Sequence, residues 1–146
     1  MIRISATIAS LAMLAGSAAQ AMEIRQFDKL ADQDQSEYIG GLIVGAENVL
    51  AGNGKPDLAA QIKHLFTTKM PGDADVMGMV EFERNLALAR VADAQRAAQD
   101  PNAHRLEVED AMLVTLQKNN IPLSRDFVRG FRAINVGFRP KLPPQH

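Results

Sequence analysis

Three histidines, a cluster of methionines, scattered carboxylates and a basic end are the groups from which this 146-residue chain could build chemistry. Metal binding is the first to weigh. His64, His104 and His146 do not recur at a ligand spacing. His104 and Glu107 would share a helix face at i, i+3, which is half a site; carboxylate-bridged bundles use the order Glu-x-x-His and need a second copy, and here the order is reversed and single. Asp73-x-Asp75-x-Met77-Gly78 begins like a calcium loop, with glycine at the sixth place. The twelfth place, which needs a bidentate glutamate, holds Arg84, and Met77 replaces an oxygen ligand. Met70, Met77 and Met79 suggest a thioether site for Cu(I), yet Met77 and Met79 stand i, i+2 and do not share a helix face. Core filling is the ordinary use of methionine. No metal and no cofactor are therefore expected.

Catalytic signatures are equally sparse. No Gly-x-Ser-x-Gly elbow occurs, and neither a P-loop nor a dinucleotide fingerprint is present. Glu81 and Glu83 fall on different helix faces and do not make an acid/base dyad. The chain has no cysteine, which removes disulfides, thiolate catalysis, cysteine-ligated zinc, iron–sulfur clusters and covalent haem. A non-catalytic role is expected. The competing reading is a copper carrier or helical enzyme whose site is assembled from distant residues.

Charge is the more informative signal. The formal net charge is −1, but Met22 to Gln117 carries 16 acidic residues against 9 basic, whereas Lys118 to Lys141 carries six basic residues against Asp126 alone. At about 100° per residue, Phe127, Val128, Phe131, Ile134 and Phe138 fall on one face of a helix, and Arg125, Arg129 and Arg132 on the opposite one. With Arg139 and Lys141 in the following Pro-rich segment, these arginines are the candidate binding residues. Their partner is expected to be an acidic surface, on another protein or on this chain's own acidic body. An anionic membrane surface is a weaker fit, because docking there needs an exposed apolar face and the phenylalanines are expected to complete a small core. Nucleic acid is excluded as a partner, since the acidic body would repel it.

These groups must be positioned by a small set of helices. Arg3 followed by an apolar run and Ala19-Gln20-Ala21 reads as a secretory signal peptide over residues 1–21, cleaved after Ala21. The expected location is the periplasm or the exterior. The remaining chain predicts an all-α single domain over residues 22–138, a bundle of about five helices, and an extended basic tail over residues 139–146. The helices are expected from about Asp34 to Leu50, from Pro56 to Phe66, from Asp75 to Ala98, from His104 to Lys118 and from Arg125 to Val136. Gly52-Asn53-Gly54 should end the first, Pro56 should open the second, and Ser124 should cap the fifth. The third should bury Val76, Met79, Val80, Phe82, Leu86, Ala87, Val91 and Ala94, with Arg90, Asp93, Arg96 and Asp100 as solvated ion pairs on its outer side. Gly40, Gly41 and Gly45 each cost roughly 1 kcal/mol in a helix. Close helix approach at Gly41-x-x-x-Gly45 is the expected compensation, within the bundle or, less favoured, across a homodimer seam; Tyr38 should place its hydroxyl at the bundle end.

The leader, the short acidic lead-in and the Tyr38-x-x-Gly41-x-x-x-Gly45 helix resemble two groups of small helical periplasmic proteins, the acid-stress chaperones and the immunity proteins that neutralise amidase toxins. The resemblance covers about the first helix after the leader. Those groups pin their helices with cysteines and this chain has none. It implies a chaperone-like or immunity-like role, and no functional residue is carried over from it.

Overall fold

The fold is given by a computed structural model, which describes residues 21–67 and 77–134. Among the described residues there are six helices and no strand: α1 Ile24–Phe27, α2 Asp32–Gly52, α3 Pro56–Thr67, α4 Met77–Gln99, α5 Val108–Lys118 and α6 Arg125–Arg132. The protein is all-α. α2 to α6 answer to the five expected helices, and α1 is a single added turn in the lead-in. The leader up to Gln20, Met70, Asp73, Asp75, Val76, Val136, Phe138, Arg139, Lys141 and the rest of the tail lie outside the described residues.

Local chemistry sets most of the boundaries. α2 ends where Gly54 takes φ 76° and Lys55 N–H donates to Leu50 O at 2.9 Å, a left-handed exit that glycine enters without a Cβ clash. Pro56 is the first residue of α3, where its missing N–H costs nothing. Ser124 accepts from Phe127 N–H at 3.1 Å and caps α6. α6 stops earlier than its periodicity suggests, at Arg132 with Ala133 as its C-cap.

Two expectations are corrected. Of the expected inner face of α4, Phe82 and Leu86 are buried, but Val80 and Val91 are 40% and 56% exposed, and Ala87 and Ala94 also face solvent. The true seam runs through Gly78, Phe82, Asn85, Leu86, Ala89, Ala92 and Asp93, with small residues where α5 packs alongside. Asp93 is thus an interior group rather than one member of an outer ion-pair row. It accepts from Arg105 and from Leu106 N–H at 2.8 Å, and Arg90 reaches across to Asp28 at 2.7 Å. Partners distant in sequence replaced the local i+3 and i+4 pairing.

The other correction is the start of α5. Helix does not begin at His104. Residues 106–108 instead lie antiparallel to residues 22–24, with Ile24 N–H donating to Leu106 O at 3.0 Å and Val108 N–H to Met22 O at 2.9 Å. The helix that follows is buried on every side from Val108 to Leu116. A helix enclosed all round is a core element rather than an amphipathic surface one, and α4 packs along it. Gly45 permits a close approach between α2 and the segment just past α6: a Cβ there would stand 2.6 Å from Ile134 Cδ1.

Candidate functional site

The first turn of the central helix concentrates charge in the interior. Glu107, the N-cap of α5, is 5% exposed, Glu109 is 2% and Asp110 is 0%. Sequence periodicity assigns these acids no such place, because it takes Leu106, Val108, Met112, Leu113 and Leu116 as the inner face and leaves the acids outward. One signal was available. Ala111-Met112-Leu113-Val114-Thr115-Leu116 is nearly unbroken apolar sequence, which marks a helix with no solvent face and so brings the preceding acids inside with it.

Buried carboxylates persist only when paired or hydrogen-bonded. Arg132, from the last turn of α6, does the pairing: its Nη1 stands 2.6 Å from Glu107 Oε1 and its Nη2 contacts Asp110 Oδ1. Arg132 is 3% exposed. Its expected place on a solvent face with Arg125 and Arg129 is therefore corrected. The helical wheel fixes the direction of a Cβ, and the long arginine stem carries the guanidinium past the edge of that face into the core. Asp110 also accepts from Glu107 N–H at 2.7 Å, closing the reciprocal cap of α5. Arg132 Nε is buried with no partner among the described residues.

Glu109 is held from the opposite side. Tyr38 Oη in α2 donates to its Oε2, and Met22 N–H donates to its Oε1 at 3.3 Å. Tyr38 is 1% exposed, and its hydroxyl anchors a buried acid. Burial pushes the Glu107 carboxyl up to about 7 despite the opposing Arg132, with Asp110, Glu109 and Glu23 adding to the rise. Burial likewise raises Glu109, against the hydrogen bonds from Tyr38 and Met22. Raised carboxyls beside a tyrosine and a guanidinium have the composition of an acid–base centre. These groups are instead spent on one another, and tie together the lead-in, α2, α5 and α6.

The remaining candidates are dispersed. Arg125 and Arg129 are exposed on α6. Among the described residues Arg129 has a 3.9 Å contact with Asp126, whose side chain is 81% exposed, and such pairs hold little energy. Phe127 and Phe131 on the other face are 1% exposed and pack ring to ring at 5.8 Å. Gly41 is half-buried in α2. His104 is exposed outside any helix while Glu107 is taken by Arg132, so the i, i+3 pair does not come together. Met77 is 48% exposed and Met79 packs against the core. An open groove of about 630 Å³ is lined by Asp57, Gln61, His64, Leu65, Asn119 and Asn120, among others. It includes His64 but none of the candidate binding arginines.

No protein-family model, curated protein or solved structure matches this chain.

Proposed function

We propose that the chain is an exported helical protein, periplasmic or secreted, which acts without catalysis by binding an acidic protein surface through α6 and the basic tail beyond it. The observation that carries this reading is the division of α6. Its aromatic side is used up in the core, while Arg125 and Arg129 project into solvent with Asp126 as their one nearby acid among the described residues. A face of exposed guanidiniums without exposed large apolar side chains suits a carboxylate-rich protein surface. It does not suit a bilayer, where an amphipathic helix must bury an apolar face. Export is supported by the leader-like first 21 residues. No helix among the described residues is long and apolar enough to cross a membrane.

The test is capture from a periplasmic extract with the wild-type chain and with the Arg125→Gln, Arg129→Gln double variant. The expected result is a partner that elutes with moderate salt and is held at least tenfold less by the variant, while circular dichroism and melting stay unchanged. Equal capture by both proteins overturns the proposal.

A further inference from the structure

Three buried acids at the start of α5 share a single cation, Arg132, among the described residues. Glu107, Glu109 and Asp110 lie within one helical turn and all are buried. Arg132 contacts Glu107 and Asp110, and among the described residues the side-chain donor on Glu109 is the neutral hydroxyl of Tyr38. The other donor on Glu109 is the backbone nitrogen of Met22, 3.3 Å from Oε1. That nitrogen belongs to the peptide bond after Ala21, at which the leader is read to end. Its position is fixed by its neighbours: Met22 is 9% exposed, its carbonyl accepts from Val108 N–H at 2.9 Å, and Ile24 N–H bonds Leu106 O at 3.0 Å.

We infer that the α-amino group released by cleavage between Ala21 and Met22 is the buried counter-ion of Glu109, so that removal of the leader completes the core. The inference rests on the cleavage reading made above. In the uncut chain this nitrogen is a neutral amide offering one N–H. Hydrolysis of the peptide bond adds water across it, leaves the new carboxylate on Ala21, and converts the Met22 nitrogen into an ammonium with three donors. The nitrogen already lies within ion-pair distance, so the charge arrives without rearrangement of the lead-in. Hydrogen bonds to charged groups stabilise more than neutral ones. The precursor consequently carries a weaker fold than its product, which keeps it easier to thread through an export channel and makes the tight fold a consequence of arrival.

The experiment compares three forms of the protein: the chain beginning with a free Met22 amine, the same chain Nα-acetylated, and the chain extended by Gln20 and Ala21. Because residue 22 is itself a methionine, expression from that codon followed by deformylation yields the free terminus. Urea unfolding at neutral pH should show the free amine favouring the folded state by roughly tenfold to a hundredfold in the folding equilibrium constant over both blocked forms. In Glu109→Gln that gap should collapse. The amine of the wild-type chain should also titrate above the usual α-amino range of about 7.7–8.0, a readout that needs no variant to fold. Equal stability of free and blocked chains, with an amine titrating in the ordinary range, overturns the inference. The amino terminus of the exported protein separates the two readings. A chain found to begin elsewhere than Met22 overturns the cleavage assignment and this inference together, whereas one beginning at Met22 without the stability gap overturns this inference alone.

Discussion

Lowering the pH from about 7.5 to about 5 should stabilise this protein, the reverse of ordinary acid denaturation, in which native-state carboxylates resist protonation. The carboxyl of Glu107 is raised from 4.5 to about 7 by its burial. Between those two values the folded state binds more protons than the unfolded chain. The unfolding free energy therefore falls as pH rises through this window and levels off above it. One pKa unit corresponds to about 1.4 kcal/mol, so Glu107 alone makes the folded state about 3 kcal/mol less favourable at pH 7.5 than at pH 4.5, an upper figure since neighbouring charges relax. For a chain of this size each kcal/mol moves the melting temperature by about 3–5 °C, so the full effect is on the order of 10 °C. Urea titrations at constant ionic strength between pH 5 and 7.5, run on wild type and Glu107→Gln, make the measurement. The wild-type midpoint should fall with pH and the variant's slope should be flatter by up to one proton. A midpoint that is flat or rises with pH, or identical slopes in the two proteins, would refute the reasoning that burial outweighs Arg132 at this carboxyl.

Other perturbations follow from the same contacts. Arg132→Met should destabilise by about 3–5 kcal/mol because it strands buried carboxylates, whereas Arg129→Gln, at an exposed position, should stay within about 0.5 kcal/mol; chemical denaturation of both variants compares them directly. Gly40 lies inside α2, and a Cβ there would meet nothing within 4 Å, so Gly40→Ala should stabilise by about 1 kcal/mol, seen as a higher melting temperature. Gly130→Ala should do the opposite by about 1–3 kcal/mol, since its Cβ would stand 2.7 Å from Val49 Cγ1.

Local signals in the sequence carried the architecture well. The glycine exit of α2, the proline start of α3 and the serine cap of α6 are all decided by a few adjacent residues, and each sits where its chemistry places it. The candidate site was less legible, because its members are brought together from Met22, Tyr38, Glu107 to Asp110 and Arg132, separations over which periodicity has no information. The start of α5 illustrates the reason. His104 to Glu107 can continue a helical pattern, but the backbone groups of Leu106 and Val108 are claimed by Met22 and Ile24, and that competition is tertiary. Asp93 failed in the same way: its spacing to Arg90 and Arg96 suits a surface pair, while Arg105 and the Leu106 amide offered better donors on the inner side.

The basic end splits into a buried part and an exposed part. Read as one cluster, Arg125, Arg129 and Arg132 present a choice between neutralising the acidic body and meeting a partner. The structure divides that choice among the residues. Arg132 neutralises the body, on two buried carboxylates, and Arg125 and Arg129 remain exposed. A triple Gln replacement would thus combine two unrelated losses. Removing Arg132 leaves Glu107 and Asp110 buried without their cation, and a partner lost to unfolding would look the same as a partner lost to a missing contact. Arg125 and Arg129 must be changed with Arg132 intact, and Arg132 must be changed with the exposed pair intact. If the first pair of changes leaves stability alone and abolishes capture, while the second lowers stability and leaves the capture of still-folded protein unchanged, then the basic end performs two separate tasks within eight residues of one helix. Capture that declines only in proportion to unfolding in both cases would mean that its charge serves the fold and nothing else.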